Sequence, residues 1–280
     1  MRAVVLDELG QPALAKVPEP EGEGTLVRVL ACGLCGSDLE KIGAAPAGAV
    51  FGHEVVAEVD GRRVALVHHL PCGECERCRA GHESTCDAFR AATIVPGGFA
   101  ERALAAETLD LPGGIDDATA TYAEPLACVL RAAERLPRGR VLVVGNGFVG
   151  RLFGAVLERR GDEVYAVDAD PRRDGRHPDG AVDAAVLCAP GGATEAADAL
   201  VPGGTLLVFA PSAPLGLDAV YRSELTILGS RSATPRHMHE AVTLLPELDL
   251  PEPTVLPLER FHEGLELYRS GEALKVVFTP

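Results

Sequence analysis

Residues 141–161 read VLVVGNGFVGRLFGAVLERRG, and this stretch decides the fold of the second half of the chain. It begins with an apolar run of strand length, turns at GNGFVG, and continues with apolar residues at helical spacing. A G-x-G-x-x-G run in that context binds a dinucleotide. Its first glycine allows a tight turn, its second lets the pyrophosphate approach, and its third lets helix and strand pack closely. We therefore expect a dinucleotide to contact Gly145, Gly147, Phe148, Val149 and Gly150.

A carboxylate ends the next predicted strand, EVYAVD at 163–168. In dinucleotide-binding folds a carboxylate at this place accepts hydrogen bonds from the adenosine ribose hydroxyls. Asp168 therefore favours NAD over NADP, because the 2′-phosphate of NADP would meet its negative charge. Arg172 and Arg173 follow closely and are able to pair with such a phosphate. The sequence predicts NAD and leaves NADP open.

Strands and helices alternate beyond this point, which indicates an α/β fold with a parallel sheet. Further strands are predicted at 184–189, 205–210 and 225–228, with a small-residue helix at 193–200. Residues 169–183, DADPRRDGRHPDGAV, contain two prolines, two glycines and no apolar periodicity. A doubly wound, Rossmann-type sheet places its outermost strand in such a segment. We predict that this edge strand is missing or rudimentary here.

The first 120 residues predict a different architecture, with short apolar or β-branched runs separated by Gly and Pro. A helix is predicted at 124–136, and the last thirty residues contain two more strands and a helix. We predict a β-rich domain at 1–122 and a dinucleotide-binding domain at 123–250. Residues 251–280 would return to the first domain.

Four of the eight cysteines crowd into CGECERCRAGHESTC, the stretch from residue 72 to residue 86. Cysteines two residues apart converge on one ion, and a more distant fourth closes a tetrahedron around zinc. Four thiolates leave no open position, so the site is structural. An iron–sulfur cluster uses similar spacing and is the alternative. The predicted ligands are Cys72, Cys75, Cys78 and Cys86.

Composition and charge exclude several classes of function. The chain has 280 residues with 47% hydrophobic and 24% charged residues, which is typical of a globular protein. Its net charge of −15 argues against a nucleic acid partner and against an anionic membrane surface. No apolar run reaches the length of a membrane helix, and no secretory segment is recognisable. We expect a cytoplasmic protein whose partner is a small molecule.

A second group of possible metal ligands lies in GLCGSDLE at 33–40 and FGHEVV at 51–56. Cys35 lies between glycines that permit an exposed loop, and His53 precedes Glu54 at a predicted strand entrance. A lone cysteine is usually a small buried hydrophobe, so each residue by itself favours a structural role. The zinc pattern downstream shifts the balance to a second metal site.

These motifs follow one order along the chain: GLCGSD, GHE, the four-cysteine stretch, GGFAE at 97–101, YAEPLAC at 122–128 and GNGFVG. In that order the chain resembles the zinc-containing medium-chain dehydrogenase/reductase family, and most closely its sorbitol and glucose dehydrogenase branch. The resemblance implies a GroES-like catalytic domain beside the Rossmann-type domain. It also implies two zinc ions, one catalytic and one structural, and a homodimer or homotetramer.

The resemblance further implies a ligand set for the catalytic zinc. Cys35 and His53 would bind the metal, and Glu54 and Glu124 would act as further ligands, directly or through water. Glu124 stands where simple alcohol dehydrogenases have a cysteine. Cys128 follows four residues later as a possible rival ligand, although packing is the favoured interpretation for it.

Two more residues of this region match catalytic positions of the family. Ser37 takes the place of the hydroxyl that begins a proton relay to solvent. Glu40 stands where many relatives have the outer histidine of that relay. It would serve the relay or bind a substrate hydroxyl, and a solvated carboxylate is an equal alternative. His68 and His69 precede the cysteine stretch, where a structural role is favoured over one in the substrate cleft.

The implied function is hydride transfer between a secondary hydroxyl of a polyol or sugar and NAD. One alternative is a general alcohol dehydrogenase or aldehyde reductase of the same family. Another is a zinc- and dinucleotide-binding protein without turnover, against which the intact Cys35, His53 and Ser37 count. Only 17 residues separate Cys35 from His53, and such trimmed loops would leave room for a larger substrate.

Overall fold

The computed structural model describes residues 1–173 and 175–280, which pack as two compact units. The first unit contains Met1–Ala127 and Ala233–Pro280, and the second contains Cys128–Ser232. Residues 233–250 thus pack with the first unit. The functional domain boundaries at residues 122 and 250 stay a prediction.

The regular elements of the described residues are as follows. The strands are β1 Arg2–Leu6, β2 Pro12–Lys16, β3 Thr25–Gly33, β4 Glu54–Val59, β5 Arg62–Leu66, β6 Ile94–Val95, β7 Arg102–Ala105, β8 Thr108–Asp110, β9 Arg140–Val144, β10 Glu163–Val167, β11 Val182–Leu187, β12 Leu200–Val208, β13 Thr226–Gly229, β14 Thr254–Pro257 and β15 Val276–Thr279. The α-helices are α1 Gly36–Lys41, α2 Glu76–Arg79, α3 Asp117–Ala120, α4 Ala123–Ala133, α5 Phe148–Arg160, α6 Ala193–Asp198, α7 Leu217–Arg222, α8 Pro235–Leu244 and α9 Phe261–Ser270. None of the described helices combines the length and the apolar composition that crossing a bilayer requires.

The second unit is built on a five-stranded sheet in the order β10-β9-β11-β12-β13, with every neighbouring pair parallel. Val141–Val144 of β9 are all buried, as expected for an inner strand of a parallel sheet. α5 begins directly after the turn that follows β9, and it ends at Gly161, which adopts a left-handed conformation. This arrangement confirms the predicted Rossmann-type parallel sheet.

β10 forms one edge of this sheet, and no strand in the described parts of the chain pairs with its outer side. For the described residues, the prediction of a missing or rudimentary edge strand is therefore confirmed. The predicted crossover 169–183 includes Asp174, which lies outside the described residues. Its described part covers the edge, because the N–H of Ala166 donates to the carbonyl of Arg176 at 3.0 Å. An irregular segment thus supplies a hydrogen-bond partner that a strand would otherwise supply.

The first unit is built on an eight-stranded, mostly antiparallel sheet. β3 pairs with β4, β7 and β15, and β15 pairs with β14, so the C-terminal strands complete the sheet. Phe51, Phe99, Phe261 and Phe278 pack at ring-centroid distances between 4.5 and 6.0 Å in its core. The predicted β-rich architecture is confirmed.

Besides the short helices α1, α2 and α3, two further helices were not predicted from the sequence. α8 follows Thr234, has Pro235 in its first turn, and buries Met238, Ala241 and Val242. A threonine followed by proline is a helix-start signal, so this helix was detectable. α7 buries none of its residues, and apolar periodicity therefore gives no signal for it.

Candidate active site

Two neighbouring strands bring a first group of ligand atoms together. Gly33 at the end of β3 pairs with Glu54 at the start of β4, and Cys35 and His53 lie just beyond this pair. The ligand atoms of Cys35, His53 and Glu54 all lie within 4.8 Å of one another. A thiolate, an imidazole and a carboxylate are all zinc ligands, and three protein ligands leave a fourth position for substrate. The donor set therefore fits a catalytic zinc.

Asp38, on α1, faces the imidazole of His53. It is fully buried, its Oδ1 lies 3.4 Å from Nδ1 of His53, and its Oδ2 accepts the N–H of Cys35 at 3.1 Å. Burial raises the pKa of Asp38, but the charges of His53 and Lys41 outweigh it and lower this pKa to about 2. For His53 the effects are reversed. Burial lowers the pKa of its imidazole, but the attraction of the Asp38 carboxylate outweighs burial and raises this pKa well above its ordinary value. With Nδ1 facing Asp38, Nε2 is the nitrogen left for a metal.

Lys275, in the segment before β15, lies beside the same group. Its ammonium forms a buried ion pair with Oε2 of Glu54 and donates to the carbonyl of Leu34 at 3.0 Å. Sequence reasoning missed both Lys275 and Asp38. The signal for Lys275 was its position directly before the apolar run VVF. A charged residue beside a buried strand needs a partner.

Three predicted residues lie outside this group of atoms. Glu124 is buried in the first turn of α4, and its carboxylate is not among the atoms within 4.8 Å of one another. Ser37 and Glu40 are exposed on α1. The roles of all three stay predictions.

A row of rings leads from His53 to the four-cysteine stretch. Ring centroids are 4.5 Å apart for His53 and His68, 3.8 Å for His68 and His69, and 4.0 Å for His69 and Phe89. Burial and the neighbouring His53 lower the pKa of His68 to about 2, which keeps its ring neutral. Phe89 packs in the small core of the cysteine stretch, so the row supports a packing role for the two histidines.

The four cysteines converge as predicted from their spacing. Their sulfurs lie within 4.8 Å of one another, at 3.5 Å for Cys75–Cys78, 3.6 Å for Cys72–Cys86 and 4.0 Å for Cys72–Cys78. Four sulfurs about 2.3 Å from a central zinc are about 3.8 Å apart in a tetrahedron, so the group fits this metal. The N–H of Cys72 points at Cys86 and lowers the pKa of that thiol to about 6, which favours the thiolate.

The glycine-rich turn has the shape that a dinucleotide requires. Gly145 has a φ of +96°, which side chains rarely adopt. A Cβ on Gly150 would lie 2.1 Å from the carbonyl oxygen of Gly145, so only glycine fits there. Gly147 is the N-cap of α5 and presents no side chain at the helix N-terminus, where phosphates bind. Phe148 and Val149 form the first turn of α5.

Both a carboxylate and a guanidinium lie near this turn. Asp168 directly follows β10, and its Oδ1 accepts the N–H of Asp170 at 2.8 Å. The amide of Asn146 donates to the carbonyl of Arg173 at 2.6 Å, and a Nη atom of Arg173 lies 3.7 Å from the place of a Cβ on Gly147. The preference for NAD over NADP stays a prediction.

Comparison with known proteins gives consistent matches. Residues 21–112 match the family described as Alcohol dehydrogenase GroES-like domain. The chain is 34% identical over 188 residues to D-altritol 5-dehydrogenase of Agrobacterium fabrum, a match that covers 58% of this chain and 56% of that protein. It is 27% identical over 341 positions to sorbitol dehydrogenase of Halalkalibacterium halodurans, covering 100% and 99% of the two chains. The match with the D-altritol enzyme thus spans little more than half of that relative.

A solved structure shares the fold over the whole chain. L-Idonate 5-dehydrogenase of Escherichia coli superposes with a TM-score of 0.87 at 22% identity, covering 100% of this chain and 98% of that one. At this identity the likeness shows the fold alone.

Proposed function

We propose that the chain is a member of the medium-chain dehydrogenase/reductase family, in its sorbitol dehydrogenase branch, and that it transfers hydride between a secondary hydroxyl of a polyol or sugar and a nicotinamide cofactor. The convergence of Cys35, His53 and Glu54 within 4.8 Å carries the proposal, because it supplies a metal site with an open position. Two relatives are named for acting on D-altritol and sorbitol, which supports the polyol class.

Cys35 and His53 would hold the catalytic zinc, with Glu54 and Glu124 as further ligands. When bound, this zinc lowers the pKa of a substrate hydroxyl. Asp38 keeps the imidazole in one orientation, since its carboxylate faces Nδ1. Ser37, exposed two residues after Cys35, would receive the hydroxyl proton and pass it to solvent. Glu40, exposed on the same helix, would extend that relay or contact a substrate hydroxyl.

The remaining predicted residues serve the structural zinc and the dinucleotide. The four cysteines of 72–86 would hold the structural zinc. Gly145, Gly147 and Gly150 would admit the pyrophosphate at the start of α5, and Asp168 would bind the adenosine ribose. NAD is the proposed cofactor, and it supplies the hydride acceptor when bound.

Assembly and location complete the proposal. The proposed family membership supports a homodimer or homotetramer. All eight cysteines are free thiols, and five of the eight are candidate zinc ligands, which favours the reducing cytoplasm.

The test is an assay for NADH formation with a panel of polyols and sugars, run with NAD and with NADP. We expect turnover that Cys35→Ser abolishes. Cys128→Ala is the matched control, because Cys128 is a buried thiol of α4 outside both groups of ligand atoms. The polyol assignment is overturned if no compound of the panel yields NADH with a protein that holds two zinc ions per chain and binds NAD. That result would favour a larger carbohydrate substrate or a binding protein without turnover.

A further inference from the structure

We propose that Lys275 is a positioning residue that holds the Glu54 carboxylate by an ion pair, so that Glu54 is a weak rather than a tight ligand of the metal at Cys35 and His53. The inference rests on the zinc site of the proposed function and deepens it. It assigns a role to a side chain that lies far from the ligands in sequence.

Burial shows that the two charged groups depend on each other. Lys275 is 2% exposed and Glu54 is 1% exposed, and their charged atoms are in direct contact. A buried charge without a partner is strongly destabilising, so neither group is free to leave the other without a replacement.

The surroundings fix the geometry of this pair. The Lys275 ammonium also donates to the carbonyl of Leu34, the residue before Cys35, so it is tied to the loop that carries the thiol. A Cβ on Gly33 would lie 2.0 Å from Oε2 of Glu54 and 3.1 Å from Cε of Lys275. The pair therefore occupies the space beside β3 that a side chain at position 33 would need.

The ion pair between Lys275 and Glu54 changes the negative charge that a zinc ion at this site would meet. One thiolate and two carboxylates, from Cys35, Glu54 and Glu124, would place more negative charge around a zinc ion than the ion neutralises. The Lys275 ammonium compensates the Glu54 carboxylate, whereas Asp38 is paired separately with Lys41 at 3.2 Å. A carboxylate engaged by an ammonium donates less electron density to a metal, so the ion pair would leave a bound metal a stronger Lewis acid. Without Lys275, Glu54 would turn fully to the metal.

The test follows the metal itself and needs neither substrate nor dinucleotide. Zinc is kept in the four-cysteine site, and cobalt(II) is exchanged into the open site as a spectroscopic probe. Lys275→Met removes the charge and shortens the unbranched side chain by one heavy atom. We expect weaker visible absorption, as the coordination number rises, and release of cobalt to a chelator slowed about tenfold, the scale of outer-shell effects on metal affinity.

Three further variants make the result decisive. Lys275→Arg should keep the wild-type spectrum, and the double variant Lys275→Met with Glu54→Gln should return both readings toward wild type. Glu54→Gln alone should change cobalt release by about twofold at most, well below the outer-shell scale. The proposal is overturned if Lys275→Met matches wild type, if the double variant behaves like Lys275→Met, or if Glu54→Gln releases cobalt about tenfold faster.

Folding and the zinc site itself are checked separately. Retained zinc in the four-cysteine site shows that each variant is folded there. Cys35→Ser should abolish the open-site cobalt spectrum. If Cys35→Ser keeps that spectrum, the proposed zinc site fails. A wild-type spectrum in Lys275→Met, with Cys35→Ser behaving as expected, overturns the role of Lys275 alone.

Discussion

Asp38 is the residue whose charge we expect to matter most for His53 as a ligand. It is fully buried and faces Nδ1 of His53, and removing such an outer partner weakens metal binding roughly 10–100-fold. Asp38→Asn should therefore weaken zinc at the Cys35–His53–Glu54 site by that factor. Competition with a chelator measures this, and the zinc of the four cysteines serves as an internal reference. Asp110→Asn, an exposed carboxylate paired with Arg62, should leave zinc affinity unchanged. An unaltered affinity in Asp38→Asn would contradict the orienting role.

Cys35, His53 and Glu54 were predictable because each lies in a short motif. Asp38 was missed although it lies in the same motif as Cys35, and Lys275 was missed because only folding brings it to the site. His53 and Glu54 are adjacent, and their register with Gly33 explains why Cys35 meets them. Lys275 reaches Glu54 only because β15 pairs with β3 at the far end of the chain. No local pattern encodes that pairing. Glu124 shows the reverse, since its motif is clear and its carboxylate still lies outside the group within 4.8 Å.

The helix α5 offers a matched pair of glycines with opposite expectations. A Cβ at Gly150 would overlap the carbonyl of Gly145, whereas one at Gly154 would meet nothing within 4 Å. Gly150→Ala should destabilise the second unit by about 1–3 kcal/mol and weaken dinucleotide binding, because the turn must shift. Gly154→Ala should stabilise the helix by up to about 1 kcal/mol and leave binding intact. Urea unfolding and fluorescence titration with NADH measure both, and equal effects from the two would refute the role of the turn.

The connection between α5 and β10 predicts a dependence on pH. Asp162 binds Arg160 and accepts the N–H of Gly139 at 2.9 Å. Burial raises the pKa of Asp162, but these partners outweigh it and lower the pKa below its ordinary value. A carboxyl with a lowered folded-state pKa stabilises the protein above its unfolded pKa of about 3.9 and loses this contribution as the pH falls further.

Asp162→Asn should therefore be less stable than wild type by about 1–3 kcal/mol near neutral pH, and the gap should narrow below about pH 4. Urea unfolding at several pH values measures it. Asp198→Asn, exposed on α6, is the control and should follow wild type throughout. A gap that stays constant into acid would show that the charge of Asp162 contributes nothing.

Elements with strong periodicity and clear ends were predicted well. β9 and α5 combine an apolar run, a glycine turn and a closing glycine, so three independent signals agree. The edge of the sheet was predicted from a lack of periodicity in 169–183. The way the edge is covered was not, because the bond between Ala166 and Arg176 joins backbone groups and leaves no trace in residue type.

At the scale of the whole molecule, the two zinc sites should differ in what their loss unfolds. Each unit has its own apolar core, whereas the buried core of the cysteine stretch consists of Cys78, Cys86 and Phe89. So small a core does not hold a loop together without the metal. Cys78→Ser should therefore lose one zinc ion and leave residues 72–89 open to hydrogen exchange, with local stability near ~0 kcal/mol.

The cores of both units should keep their protection in Cys78→Ser, because Val27, Val29 and Phe278 in one and Leu142 and Leu187 in the other pack without the cysteine stretch. Cys35→Ser should show the opposite pattern: one zinc ion lost and protection of 72–89 retained. Hydrogen exchange with mass spectrometry, together with zinc counting, separates the two. Loss of protection throughout the first unit in Cys78→Ser would mean that the metal supports its core, and the ring row from His53 to Phe89 would be the path to test next.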